Sequence, residues 1–190
     1  FISVTAGGIA HQNFTTIEDM NTADFRILWT ICVGTVTLAG AFIGSMGSNI
    51  VQSCLPKKAG VDLIFVSEWF WYLYGIFLTV MYMHGYLSLK RPAADIFIAG
   101  TTQTFPTIYL TAAAIIHDTK VSMGQLIQIF AAFYLNAPLL FMYPYLAHYL
   151  ELHHVNCFLH CWLTVAWTMQ YFSIQSIVSQ LKNAGADKVK

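Results

Sequence analysis

Two groups of residues in this 190-residue chain have the types and spacing to do chemistry. The first is Glu68, in the run Ser67-Glu68-Trp69-Phe70-Trp71, where a carboxylate stands among apolar and aromatic neighbours. The surrounding apolar stretch places it about two turns into a helix. An ionisable side chain carried into a membrane is costly, so it is commonly turned inward and put to use. Its plainer role is a position near an interface, where it meets water or a partner donor. The second group is His148, Glu151, His153, His154, Cys157, His160 and Cys161. On a helix, His153 and Cys157 are four apart, as are Cys157 and Cys161, so these three, with His160 alongside, share a face. Imidazole and thiolate suit zinc or copper. The plainer reading is an interfacial turn carrying partly solvated histidines.

His148-x4-His153-His154 resembles the histidine boxes of membrane desaturases and hydroxylases. Those enzymes need several boxes for two metals, and His11, His84 and His117 form none. Haem is a related alternative, held by histidines on facing helices. His84 and His117 close successive antiparallel helices, which puts them on opposite membrane faces, so they cannot share one haem.

The elements that would position these residues follow from composition. Apolar residues make up 57% of the chain and charged residues 9%, against roughly 45–50% and roughly 25% in soluble domains. Nine Lys+Arg and nine Asp+Glu cannot cover a water-facing surface of this size, which excludes a soluble globule. Zero formal net charge leaves no basic stripe for nucleic acid. Cys32, Cys54, Cys157 and Cys161 form no disulfide framework, because only Cys54 sits in an obvious loop. No nucleophile elbow, P-loop or dinucleotide fingerprint occurs.

The fold class expected is all-α: a polytopic transmembrane bundle of about five spans, each near the 20 residues needed to cross a bilayer. Residues 1–25 read as a polar extramembrane arm. The helices are expected at about 27–50, 61–89, 93–117, 122–150 and 153–181, with a polar tail at 182–190. In the first, Gly34, Gly40, Gly44, Ser45 and Gly47 would let another helix approach closely. Lys90-Arg91-Pro92 ends the second. Pro138 and Pro144 put a kink in the fourth. Arg26, Lys90 and Arg91 fall on one side, while Lys57, Lys58, Lys120, Lys182, Lys188 and Lys190 fall on the other. The positive-inside rule then places the N-terminus outside, in agreement with the glycosylation sequon Asn13-Phe14-Thr15 on the arm.

Four features between about residues 61 and 150 carry a resemblance. Glu68 opens a long apolar run and Lys90-Arg91-Pro92 forms the following turn. Gln103 lies in Thr102-Gln103-Thr104-Phe105-Pro106, and Asn136 lies in Phe133-Tyr134-Leu135-Asn136-Ala137-Pro138-Leu139-Leu140. The stretch resembles the EXPERA superfamily, which includes the emopamil-binding sterol isomerases and the sigma-2 receptor. The resemblance implies a four-helix core around a lipid cavity, with Glu68 as the cavity carboxylate and Gln103 and Asn136 as polar groups toward a sterol or amine. The isomerases carry a histidine and an acidic residue on the preceding helix to shuttle the proton. Here that helix reads Thr35-Val36-Thr37-Leu38-Ala39-Gly40-Ala41-Phe42-Ile43-Gly44, with neither. Moving a double bond needs both a proton donor and an acceptor.

The expectation is therefore a non-catalytic integral membrane protein, an accessory or structural subunit of a larger membrane complex. Its partners would be other membrane-protein subunits and membrane lipids, with lipid held in an EXPERA-like cavity. A mitochondrial respiratory assembly is one home. An alternative is a sterol- or lipid-directed isomerase or receptor of the endoplasmic reticulum, and a second is a metal or haem protein using the His148–Cys161 group. No catalytic residue is assigned and no cofactor is required; bound lipid or sterol is the ligand that the resemblance implies.

Overall fold

A computed structural model describes residues 1–16, 18–52, 63–84, 93–116 and 121–186. The described residues build helices and no strand: α1 (Ile2–Asn13), α2 (Ala23–Gln52), α3 (Glu68–Met83), α4 (Ala93–Ile116), α5 (Met123–Ile129), α6 (Ala131–Tyr134), α7 (Asn136–Tyr149) and α8 (Leu152–Ala186). The all-α class is thus observed. Pro56-Lys57-Lys58, Asp62, Lys90-Arg91-Pro92, His117 and the tail residues Lys188 and Lys190 lie outside the described residues.

The bundle is organised on α2. Three of its glycines, Gly40, Gly44 and Gly47, face neighbours so closely that a side chain would collide. A Cβ at Gly40 would lie 1.9 Å from the Thr102 carbonyl oxygen of α4, and one at Gly47 would lie 3.0 Å from Leu110 Cα. Pro106, inside α4, has no N–H to give to Thr102 four residues earlier, and that carbonyl is the one resting on Gly40. The α2–α3 contact is antiparallel and carries polar rungs. Trp29 Nε1 donates to Tyr82 Oη at 2.9 Å, and the Thr37 and Thr79 hydroxyls meet at 2.8 Å. Two apolar cores complete the packing. Val33, Leu78 and Ile98 join α2, α3 and α4; Ile43, Ile50, Leu110, Ala113, Ala114, Ile129, Ile174 and Ile177 join α2, α4, α5 and α8.

Three expectations change. The first half of the arm is helical: α1 buries Ser3, Ala6, Gly7 and Ala10, a three-and-four spacing that lays one face on α2 and α8. Thr16 and Asp19 then form a reciprocal cap, each backbone N–H bonded to the other's side chain at 3.0 and 3.1 Å. The second helix begins at Glu68, not near residue 61, because residues 63–67 are not helical and Ser67 is extended at φ −61°, ψ 144°. Tyr109 Oη fixes that stretch, accepting from the Val66 N–H at 3.0 Å and donating to the Ile64 carbonyl at 3.1 Å. Glu68 is therefore the first residue of its helix, where a carboxylate favours the positive end of the dipole, and not two turns within it. The fourth span is broken into α5, α6 and α7. α6 ends at Tyr134, the residue whose carbonyl Pro138 cannot serve.

Among the described residues, α2 is the one helix both long and apolar enough to cross a membrane by length and composition.

Candidate functional site

Glu68 sits where α3 starts against the C-terminal half of α2. Ser45 Oγ donates to Glu68 Oε2 at 2.8 Å. One turn further along α3, Trp71 Nε1 donates to Ser48 Oγ at 2.9 Å. The indole lies flat over Gly44, where a Cβ would come within 2.3 Å of the ring, and its centroid is 5.2 Å from that of Tyr109. Gly44, Ser45 and Ser48 thus form a small-residue seat on α2. Glycine admits the indole, and the two hydroxyls satisfy the polar ends of Trp71 and Glu68. Buried polar groups demand such partners. The Ser45 hydroxyl holds the Glu68 carboxylate in place, and a serine hydroxyl does not exchange protons near neutral pH, so this bond positions Glu68.

Gln103 is buried between α4 and α2, its Nε2 donating to the Val36 carbonyl at 2.9 Å. Val36 and Ser45 are nine residues apart on α2, about 13 Å at 1.5 Å per residue. The structure gives Gln103 a helix-pinning role and does not bring it to Glu68. The backbone of Asn136 opens α7, but its side chain lies outside the described residues.

The histidine–cysteine group separates into two. His148, His153, His154, Cys157 and Cys161 are exposed. Glu151, His153 and His154 gather donor atoms within 4.8 Å of one another at the start of α8. His153 Nδ1 already lies 3.3 Å from Glu151 Oε2, and the His153 and His154 ring centroids are 4.0 Å apart. That spacing is tighter than the roughly 5 Å that two imidazoles adopt on one tetrahedral ion with Zn–N near 2.0 Å.

His160 leaves the group altogether. It faces inward, 5.5 Å from His11 between ring centroids, and a Cβ at Gly7 would lie 2.7 Å from its Cε1. The expectation that it lies alongside Cys157 and Cys161 on one ligand face is corrected, because the docking of α1 claims this side of α8. Sequence spacing gave no signal for His11 or for the buried Cys32, which meets α1 at Ser3 and Gly7. His84 caps α3 in an exposed position.

No protein-family model, curated protein or solved structure matches the chain.

Proposed function

We propose that this chain is a polytopic integral membrane protein that serves as a non-catalytic accessory subunit of a larger membrane assembly. The observation that carries this is an inverted polarity. On α3, Trp69, Phe70, Leu73, Ile76, Phe77 and Val80 form one continuous outward stripe, with Trp69 73% and Leu73 62% exposed. Phe97, Phe105 and Ile108 do the same on α4, and Phe158, Val165, Tyr171 and Phe172 on α8. Meanwhile Thr37, Ser45, Ser48, Thr102, Gln103, Thr107, Gln170 and Ser173 are buried. Several of these bond between helices, as Gln103 does to Val36, or Ser173 Oγ to the Gln125 carbonyl at 2.9 Å. Apolar surface outside and small or polar residues between helices is the arrangement lipid favours, and water does not tolerate outward patches of this extent. Five crossings, by α2, the shorter α3, α4, α8 and the broken α5–α7 segment, would accommodate all of these faces.

The seat of Glu68 accords with the accessory role: its carboxylate is held by the Ser45 hydroxyl at the first residue of α3. Extraction from the native membrane in mild detergent, followed by native sizing and mass spectrometry of the band, tests the proposal. A large band of several polypeptides is expected, and its companions name the host and separate a mitochondrial from a reticular home. A small band holding this chain alone would reject the subunit role.

A second reading has one observation in its favour. Glu68 is only partly buried and stands beside the exposed rings of Trp69 and Phe70, a pairing of carboxylate and aromatic faces that suits a cationic amphiphile and accords with the EXPERA resemblance. Unchanged sterol or amine binding in Glu68→Gln would reject it.

A further inference from the structure

The turn between α7 and α8 gathers three ligand-competent side chains that neither the Glu68 seat nor the helix packing uses. Leu150 leaves α7 in an extended conformation at φ −121°, ψ 148°. The Glu151 carbonyl then accepts from the His154 and Val155 N–H groups at 2.9 and 3.2 Å, which starts α8. Glu151, His153 and His154 therefore stand together at the first turn, all three exposed. One donor atom from each lies within 4.8 Å of the other two. Three atoms so placed share a point at most about 2.8 Å from each, little beyond the roughly 2.0–2.2 Å of bonds from nitrogen and oxygen to a divalent transition metal. Glu151 Oε2 and His153 Nδ1 are already 3.3 Å apart, near the roughly 3 Å between neighbouring ligands on one such ion.

The His153 and His154 ring centroids, 4.0 Å apart, decide the geometry. Tetrahedral bonds set two imidazole centroids roughly 5 Å apart, whereas bonds at right angles bring them to about 4.5 Å. The His153 and Glu151 side chains are 51% and 75% exposed, so rotation about their own χ angles supplies the remaining adjustment without disturbing a core.

We propose that Glu151, His153 and His154 form a surface site for one Cu2+-type ion in tetragonal coordination at the α7–α8 turn. One carboxylate oxygen and two imidazole nitrogens are the kind of set that tetragonal ions take, and Cu2+ heads the affinity order of the divalent first-row metals for it. The Glu151 charge offsets the positive end of α8, which by itself repels a cation. Binding is ligand substitution without electron transfer. The carboxylate and two imidazole lone pairs replace three waters on the ion, and water keeps its other positions. Cys157, one turn along α8 from His153, and His148, in the last turn of α7, are not among the three gathered residues. The site is thus distinct from the row of His153, Cys157 and Cys161 that helical spacing suggests.

The test uses the untagged full chain in detergent, with Cys54→Ser, Cys157→Ser and Cys161→Ser because thiols reduce Cu2+ and compete for it. Stripped of metal and titrated with Cu2+ alone, it is expected to bind one ion per chain. The electron paramagnetic resonance spectrum should be tetragonal, with splittings from two imidazole nitrogens. His153→Gln and His154→Gln should each weaken binding by about tenfold or more, with one nitrogen fewer in the spectrum at saturation. Glu151→Gln should weaken binding while keeping both nitrogens, and His148→Gln should change neither affinity nor spectrum. Should the serine background fail to fold, Ni2+, which thiols do not reduce, replaces copper on the native chain with the same histidine and glutamate variants, read by calorimetry. Absence of a one-to-one site, its survival in His153→Gln/His154→Gln, or its loss in His148→Gln overturns the proposal.

Discussion

The α2–α3–α4 trio and the junction of α1 with α2 and α8 are both built around glycines, but the neighbours differ in kind. At Gly40 the neighbour is a backbone carbonyl, held by α4 and unable to move alone; at Gly7 it is the imidazole of His160, the end of a side chain. The first contact fixes how near two helices can lie. The second admits an imidazole ring against α1. A glycine thus marks a rigid helix crossing in one region and room for a side chain in the other, and substitution separates the two meanings.

The largest effect is expected at Gly40. Gly40→Ala sets a methyl 1.9 Å from the Thr102 carbonyl and must push α2 and α4 apart, at a cost of about 3 kcal/mol, read as a fall in the unfolding midpoint in detergent. Gly44→Ala meets the Trp71 ring at 2.3 Å. The ring can tilt, but only by loosening its bond to Ser48, so about 2 kcal/mol is expected, together with a shift in Trp fluorescence. Gly34→Ala is the matched control on the same helix. Its nearest neighbour would be Thr79 Cγ2 at 3.9 Å, so better helix propensity should stabilise the protein by about 0.5–1 kcal/mol. If all three glycines respond alike, close approach is not what they supply.

Smaller effects sharpen the contrast. Ser48→Ala leaves the buried Trp71 Nε1 without its acceptor and should cost about 1 kcal/mol. At the other junction, Gly7→Ala should speed amide exchange across Ile2–Asn13 while sparing α2 and α4, whereas Gly8→Ala, with nothing within 4 Å, should slow it. The smallest effect is at Asp19. Its bonds from the Thr16 side chain and backbone hold its carboxyl below the usual value of 3.8. A lowered folded value means that the capping contribution is present above the unfolded value and is lost as pH falls through the folded one. Protection of the Thr16 amide, measured against its intrinsic exchange rate, should fall only in that acid range, and Asp19→Asn should make the protection independent of pH there.

The helical class was legible, because apolar stretches with few charges leave little else for the chain to do. α2 and α4 fall within a few residues of their expected limits, and the small residues of α2 announced a close crossing. Which helices they would meet was not legible, since Thr102 and Trp71 lie 62 and 27 residues further on. Glu68 was misplaced because a Tyr109 hydroxyl, 41 residues later, ties down the non-helical segment before it, and no local pattern reports such a bond. His160 reads as one of a helical row until α1 docks on it. The alternation of Ser3, Ala6, Gly7 and Ala10 was the available signal that the first residues form a packed helix.

The central claim is that the outward faces of α3, α4 and α8, and not α2 alone, lie in the membrane. Labelling native membranes with a photoactivatable lipid and mapping the adducts by peptide mass spectrometry tests it most directly. Adducts are expected at Leu73, Ile76 and Phe77, at Phe105 and Ile108, and at Val165 and Phe172, with Trp71, Leu78 and Leu110 spared. Adducts confined to α2, with the α3, α4 and α8 faces unlabelled even after the host assembly is dissociated in the bilayer, would contradict it.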